Sequence, residues 1–495
     1  MQPPLNVLFA VSECAPFVKT GGLADVAGAL PKALEAMGIR VRVLLPAYAR
    51  LTPLLEQAEP LGEVFGIDSA ARLFALRAEG LDLLLVDAPQ LFKRPGGPYI
   101  TEAGVDWPDN HFRFATLSRI AANIARDGVG GWTVDVLHVH DWQTALAPAY
   151  LRLDGRGGPP SVITIHNMAF QGVFPSASVD ALALPRHGFH PEGYEYWGQI
   201  GFLKAGLVYA DRITTVSPTY ARELATAEFG MGLQGLIAAR RADLLGVLNG
   251  VDLDVWNPET DPHLPANYSA RRLRGKAQCK AALAAHFGLE PTPHAPLFGI
   301  VSRLTRQKGI DLLLSVLPRL LSRGATLAVL GAGDHDLEQA FRSAATAYPQ
   351  RVGVQIGYNE RLAHLLQAGA DSILVPSRFE PCGLTQLYAL RYGSPPVVAR
   401  TGGLADTVVD ANDAAVRTGC ATGFQFAPIA AGLLGDALDR ACDAYADPAG
   451  WTTLVRRAMK HPVGWEVSAA RYANVYRELI GLPAETEDGR DDEES

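Results

Sequence analysis

Short apolar runs rich in β-branched residues, each followed by a segment of helical character, recur along the chain in two separate series. The first series covers 6–11, 41–45, 81–86, 134–139, 162–165 and 212–216; the second covers 297–301, 326–330, 352–356, 372–375 and 396–399. A strand that is apolar throughout, rather than at alternate positions, is buried on both faces, and strands of that kind alternating with helices build parallel sheets covered on both sides. Between the series lies the proline-rich stretch Asn257-Pro-Glu-Thr-Asp-Pro-His-Leu-Pro, which reads as a connector at 257–265. The expected fold class is therefore α/β, with two doubly wound Rossmann-like domains, 1–256 and 257–460. Ligands of such sheets bind beyond the carboxyl ends of the strands, so two domains facing across a cleft would enclose a site.

One heptapeptide occurs in both halves: Lys19-Thr-Gly-Gly-Leu-Ala-Asp25 returns as Arg400-Thr-Gly-Gly-Leu-Ala-Asp406, each time after a strand and before a helical pattern. Two readings fit. The glycines can simply make a tight strand-to-helix turn, or they can let the backbone approach a ligand whose anionic part then meets a helix N-terminus.

Composition narrows the function. The chain has 495 residues, 48% hydrophobic, and a net charge of −8. Seven acids against Arg490 in residues 485–495 supply six of those negative charges and leave the body near neutral. A near-neutral body excludes a sequence-wide basic footprint for nucleic acid, and no Lys/Arg block suggests a membrane-surface patch. The acidic tail, 484–495, is expected to be solvated and disordered. Five scattered cysteines without a C-x-x-C pair argue against a disulfide framework or structural zinc and fit a reducing compartment. With no basic n-region ahead of a short apolar run and no stretch near ~18 apolar residues, a cytoplasmic protein is expected.

Chemistry concentrates after the strands. In Ser302-Arg-Leu-Thr-Arg-Gln-Lys-Gly309, Arg303 and Lys308 can clamp a diphosphate, Arg as a bidentate donor and Lys as a point charge; a plain solvated loop is the competing reading. In Glu380-Pro-Cys-Gly-Leu-Thr385, the N–H groups of Gly383, Leu384 and Thr385 would begin a helix and suit phosphate oxygens. Glu380 could accept bonds from hydroxyls, and Cys382 reads as a small packed residue rather than a nucleophile. His138-Val-His140-Asp141 ends one strand and Thr164-Ile-His166-Asn167 the next. The paired histidines lack an evident third metal ligand, so Asp141 and His166 are the better candidates. His166 either donates to a substrate hydroxyl or is a satisfied structural residue. The two D-x-D triplets, Asp252-Leu-Asp254 and Asp334-His-Asp336, adjoin glycine-containing turns where Asp is common, and neither is taken as a metal site. No Walker loop, complete dinucleotide fingerprint or nucleophile elbow occurs.

Taken together, the two Thr-Gly-Gly-Leu-Ala-Asp segments, His140-Asp-Trp142, His166-Asn167, Leu248-Asn-Gly-Val-Asp252, Ser302-Arg-Leu-Thr, Gln307-Lys-Gly309, Gly357-Tyr358 and Glu380-Pro-Cys-Gly-Leu-Thr-Gln386 resemble the bacterial glycogen synthases of the starch synthase family, in the family's order from about residue 5 to 475. The resemblance implies a GT-B fold in which 1–256 binds the acceptor, 257–460 binds the nucleotide sugar and a helix within 461–483 crosses back to the first domain. It implies transfer of glucose from ADP-glucose to the non-reducing end of an α-1,4-glucan such as glycogen, with retention and without metal or other cofactor. Carried onto this chain, Lys19 and Gly22 would contact the donor phosphates, with Gly21 in the same loop and Arg303 and Lys308 opposite. Leu384 and Thr385, beside Cys382 and Gly383, would offer backbone donors, Tyr358 would stack on adenine, and Glu380 would hold glucose hydroxyls. Asp141, His166 and Asn249 would line glucose and acceptor, and Glu13 and Asp25 would face the glucan. One position departs from the wider class of retaining transferases of this fold: Tyr388 stands where a second, ribose-binding glutamate is usual. A UDP-glucose enzyme of the same fold, an idle glucan-binding protein and a nicotinamide dehydrogenase are the competing readings, and oligomeric state is left open.

Overall fold

A computed structural model describes residues 4–68 and 70–484, so most of the expected disordered tail, from residue 485 on, lies outside the described residues. The chain divides into two units, one holding the residues up to Asn249 and again from Trp465, the other Gly250–Gly464.

The first unit carries a nine-stranded sheet in the order β12-β11-β7-β6-β1-β2-β5-β4-β3. Its parallel members are β1 (Asn6–Ala10), β2 (Arg40–Pro46), β5 (Leu81–Asp87), β6 (Val136–His140), β7 (Ser161–Ile165), β11 (Arg212–Thr215) and β12 (Leu244–Gly246). The edge hairpin, β3 (Glu59–Phe65) and β4 (Ala70–Ala78), pairs antiparallel. β3 is largely exposed, and the apolar run of β4 is confined to Leu73–Leu76 between Arg72 and Arg77, a stretch the strand series does not include. A small antiparallel sheet, β8 (Val173–Pro175), β10 (Gln199–Gly201) and β9 (Glu195–Tyr196), stands apart.

The second unit is a six-stranded parallel sheet, ordered β15-β14-β13-β16-β17-β18. Its strands are β13 (Leu297–Val301), β14 (Thr326–Gly331), β15 (Val352–Ile356), β16 (Ser372–Val375), β17 (Val397–Ala399) and β18 (Phe424–Phe426). Counted within the unit, this is the 3-2-1-4-5-6 order of dinucleotide folds, whose direction of winding reverses between β13 and β16. The first unit reverses in the same way between β1 and β6. These two reversal points fix where ligands can reach each sheet.

The boundaries differ from those expected. The first unit ends at 249 rather than 256, and the second runs to 464 rather than 460. The connector at 257–265 is not a free linker: Trp256 stacks on both Tyr388 and His364, at 3.7 and 3.8 Å between ring centroids. Asp261 accepts a 2.6 Å bond from the Tyr392 hydroxyl, and Arg391 donates to Asn257. Val251 N–H also bonds to Val463 O, closing the second unit on itself. The helix Glu466–Leu479 belongs to the first unit, where Tyr476 OH and His138 Nδ1 lie 2.7 Å apart. No described helix is long and apolar enough to cross a membrane.

Candidate active site

In the second unit the candidate residues gather at the reversal point. Arg303 and Lys308 follow β13, and the segment from Pro376 to Thr385 follows β16. Lys308 Nζ lies 2.5 Å from Glu380 Oε2, which also accepts a 2.9 Å bond from Ser377 Oγ. Ser302, Lys308, Ser377, Glu380 and Thr385 line one small pocket. Gly309, in the left-handed region at φ 68°, lets the helix Ile310–Ser322 start against Pro376, since a Cβ there would collide with the Pro376 carbonyl. That contact delivers Lys308 to Glu380. Arg303 is exposed, and its guanidinium has no hydrogen-bond or ion-pair partner among the described residues. The N–H groups of Gly383, Leu384 and Thr385 likewise donate to no described protein acceptor, as expected ahead of the helix Thr385–Arg391. Tyr358, just past β15, is 74% exposed, so its ring is accessible for stacking. Cys382 is buried.

The second Thr-Gly-Gly-Leu-Ala-Asp copy serves this loop. Gly403 N–H donates to the carbonyls of Pro381 and Glu380 at 2.9 and 3.2 Å, and Gly402, at φ 43°, lies where a Cβ would strike Glu380 O. Its glycines admit a neighbouring backbone, holding Glu380 and Cys382 from behind. The first copy is built differently: Gly21 is exposed at φ −151°, with open space where a side chain would project, ahead of the 14-residue helix Gly22–Glu35. Identical letters thus perform backbone packing in one unit and leave an open helix start in the other.

Glu13, expected to face the glucan, is 4% exposed and turned toward this first loop. Its carboxylate accepts bonds from the N–H groups of Thr20 and Gly21, the Thr20 hydroxyl and the Tyr99 hydroxyl, at 2.6 to 3.1 Å. It positions the loop. Lys19 on the loop and Asp25 in the first turn of the helix, expected to meet phosphate and glucan respectively, pair with each other at 2.7 Å.

Asp141 follows β6 at φ 52°, a left-handed conformation that Asp tolerates better than most residues but that still stores strain. Its Oδ1 accepts a 2.7 Å bond from His166 N–H and a longer one from Asn167 N–H, clamping the end of β7. Burial pushes the Asp141 carboxyl up to about 7 against the pull of these two donors. Burial also lowers His138 and His140 well below the usual histidine range and His166 to about 3, so all three rings are neutral. His138 bonds Tyr476 and Thr164 through its two nitrogens, and His140 Nδ1 lies 3.0 Å from His166 Nε2. His140 Nε2 is buried without a partner. A buried orphan N–H is costlier than an unused lone pair, which favours His140 Nδ1–H donating to His166 and leaves His166 Nδ1 as the protonated nitrogen. Asn249 is buried beyond β12, its Oδ1 unpaired among the described atoms.

Tyr99 and Ser377 are structural partners that sequence reasoning missed, whereas His140, weighed there only as half of a metal pair, is the ring partner of His166. Tyr99 lies 86 residues from Glu13, and no local pattern links them. Tyr388 does not project as a substitute for the missing carboxylate, because its ring is spent on Trp256. Among the described residues no three His, Cys, Asp or Glu side chains group to hold a metal ion.

The starch synthase catalytic domain family matches residues 6–239, and the glycosyl transferases group 1 family matches residues 285–445. Glycogen synthase from Roseobacter denitrificans is 56% identical over 96% of this chain and all of its own length. Glycogen synthase from Cereibacter sphaeroides is 54% identical over 96% of this chain and 98% of its own. The catalytic domain of starch synthase IV from Arabidopsis thaliana, solved bound to ADP and acarbose, superposes with a TM-score of 0.87 at 31% identity, covering 97% of this chain and all of that one. Sucrose-phosphate synthase from Thermosynechococcus elongatus, at 18% identity and a TM-score of 0.58 over 96% of this chain and 99% of its own, shares the fold. With the two α/β units, these likenesses fix the fold class as GT-B, and the chain belongs to the glycogen and starch synthase family of glycosyltransferases.

Proposed function

We propose that this chain is a retaining glucosyltransferase that moves glucose from ADP-glucose to the non-reducing end of an α-1,4-glucan. The observation that carries the reading is the convergence at the β13–β16 reversal of Lys308, Glu380 and the undonated N–H groups of Gly383 to Thr385, with Arg303 unpaired on the adjoining loop. This is a polar cradle suited to a leaving diphosphate. As the bond between glucose C1 and the phosphate oxygen breaks, negative charge grows on that oxygen, and fixed cations and N–H donors lower the barrier without reorganising. The acceptor hydroxyl attacks C1 from the same face, and its proton passes to the departing phosphate oxygen, which accounts for retention.

In the second unit, Tyr358 stacks on the adenine and Glu380 holds the sugar hydroxyls. In the first, Lys19, Gly21 and Gly22 approach the phosphates from an open helix start, and Asp141, His166 and Asn249 bind glucose and acceptor. Asp25 meets the glucan, whereas Glu13 acts through the Thr20–Gly21 loop. The two cations take the place a divalent metal fills in other nucleotide-sugar enzymes, so no metal is required. The five free cysteines support a cytoplasmic setting.

Turnover with ADP-glucose against UDP-glucose, on a glycogen primer and after dialysis against EDTA, tests the reading. Glucan extension from ADP-glucose in EDTA supports it. Preference for UDP-glucose, or activity restored only by magnesium or manganese, overturns the corresponding part.

A further inference from the structure

Four consecutive carbonyls of the loop after β16 are bonded from one side. Gly403 N–H serves Glu380 O and Pro381 O, and the side-chain amide of Gln386 serves the next two, its Nε2 donating to Cys382 O at 2.9 Å and to Gly383 O at 3.0 Å. Gln386 is fully buried in the helix Thr385–Arg391. Its Nε2 also donates to Thr407 Oγ1 at 3.2 Å, and the Thr407 hydroxyl gives its own proton to Gly403 O at 2.6 Å. Thr407 thus joins the two donors into one brace. Carbonyl oxygens only accept, so the amide nitrogen must be the atom that faces them, and Gln386 Oε1 is left buried without a partner among the described atoms. An unsatisfied buried acceptor costs stability, and what it maintains here is the course of the loop.

In a trans peptide the C=O and the following N–H point in opposite directions. With Cys382 O and Gly383 O drawn onto Gln386, the N–H groups of Gly383 and Leu384 are turned to the other face, where neither meets a described protein acceptor. Gly383 is left-handed at φ 75° and Leu384 right-handed at φ −111° and ψ −27°. Successive residues of opposite hand aim their N–H groups into one concavity that suits an anion. Gly383 also makes room for the brace, since a Cβ there would strike Gln386 Oε1.

We propose that Gln386 is a positioning residue for transfer: by holding Cys382 O and Gly383 O it aims the N–H groups of Gly383 and Leu384 at the leaving diphosphate, with Thr407 fixing its amide. The identity of the anion rests on the glucosyltransferase reading; the aim of the N–H groups rests on the carbonyl bonds alone. Gln386 itself touches no substrate. The brace acts through donors whose partner gains charge only as the bond to glucose breaks, so its removal weighs on kcat rather than on KM. It also gives a role to Thr407, the residue that follows the second Thr-Gly-Gly-Leu-Ala-Asp copy. That copy holds the first half of the loop, Gln386 holds the second half, and Thr407 links them.

The test uses the full chain and three variants. Gln386→Met keeps the volume and removes both Nε2 donors, while Thr407→Val and Thr407→Ser remove and retain the linking hydroxyl. Gln386→Met should lower kcat by ~10²-fold, as loss of an aimed donor does, with the KM for ADP-glucose little changed. Thr407→Val should lower kcat by ~5-fold, the worth of about one hydrogen bond, and Thr407→Ser should keep the parent value. Titration with ADP of protein labelled with nitrogen-15 at Gly and Leu reads the aim directly: the amide protons of Gly383 and Leu384 should move downfield in the parent and stay in place in Gln386→Met. An unchanged kcat in Gln386→Met, a loss confined to KM, or a Thr407→Ser as slow as Thr407→Val overturns the assignment. If urea unfolding shows that Gln386→Met does not fold, the Thr407 pair decides by the same two readouts. A parent that shows both amide shifts with ADP but no turnover with ADP-glucose would sink the transferase reading and leave the positioning role standing. Turnover without a shift at either amide would do the reverse.

Discussion

Lys308 and Glu380 form one ion pair, 2.5 Å from Nζ to Oε2, with side chains only 18% and 10% exposed. The cation assigned to the leaving diphosphate and the carboxylate assigned to the sugar therefore share a single electrostatic unit, completed by the Ser377 hydroxyl. Arg303, in contrast, is exposed and unpaired among the described residues.

This difference separates two variants that a simple clamp would treat alike. Each of Lys308→Ala and Arg303→Ala should lower kcat by ~10²–10³, the usual cost of one preorganised donor. Only Lys308→Ala should also destabilise the fold, by about 3 kcal/mol, because it strands a buried carboxylate; Arg303→Ala should stay within ~0.5 kcal/mol, as surface changes do. Single-turnover kinetics and urea midpoints measure the two axes. A loss confined to KM would demote the pair to ground-state docking, and an unshifted midpoint for Lys308→Ala would mean that the ion pair does not support the fold.

The two heptapeptide copies can be told apart by the same substitution. Gly402→Ala forces a Cβ into the Glu380 carbonyl from a left-handed backbone, so it should displace the loop and cost at least ~2 kcal/mol in stability together with most activity. Gly21→Ala meets open space at an extended φ, and its melting temperature should barely move. A rise in KM for ADP-glucose in Gly21→Ala would then report close ligand approach. Full activity in that variant would reduce the first copy to a turn.

Asp141 makes stability depend on pH. Its folded carboxyl titrates at about 7, above the ~3.9 of an exposed Asp, so between those values the folded state holds a proton that the unfolded state has lost. Stability should therefore fall as pH rises through that window, and the contribution is on the order of 4 kcal/mol. Asp141→Asn cannot ionise yet keeps an acceptor for the His166 N–H, so it should flatten the profile and exceed the parent in stability at pH 8. If the carboxylate also serves the substrate, kcat/KM should drop at least tenfold (~1.4 kcal/mol) in the same variant. Parallel urea midpoints for both proteins from pH 4.5 to 8.5 would refute the assignment.

What could be read from the sequence follows physical scale. The buried parallel strands announce themselves because burial on both faces removes alternation, and their carboxyl ends place Arg303, Lys308, Asp141 and His166 without further information. β3, largely exposed, sends no such signal, and β4 sends only a short one, Leu73–Leu76 between two arginines. Distant pairings are equally silent: Tyr99 on Glu13, Tyr476 on His138 and Tyr388 on Trp256 join residues 86, 338 and 132 positions apart. The last pairing also moves the domain boundary, since a stretch rich in proline looks like a linker until Trp256 just before it and Asp261 within it are seen packed in the second unit. Nor do letters separate the two glycine loops, because the difference lies in which backbone stands in front of each.

Glu380 could in principle be a covalent nucleophile, with a glucosyl-enzyme accounting for retention in two steps. Its surroundings argue otherwise. Oε2 is occupied by Lys308 and Ser377, and the loop that carries it leads directly into the N–H donors at Gly383 to Thr385, the side from which a diphosphate would depart. A nucleophile must instead attack opposite the leaving group. With the carboxylate held among the proposed leaving-group contacts, the role proposed for it is to orient the sugar through its hydroxyls. Glu380→Gln should then keep partial activity, since an amide preserves some of the hydrogen bonds, although it donates poorly matched N–H groups toward Lys308. Glu380→Ala should lose a further ~10-fold or more, about 1.4 kcal/mol in the barrier. Neither variant should accumulate an adduct, and the parent enzyme should show none with a slow fluorinated donor. Intact-mass spectrometry during turnover decides the point: a glucose-sized increment mapped to Glu380 would establish double displacement and overturn the front-face mechanism, while leaving the family and fold assignments in place.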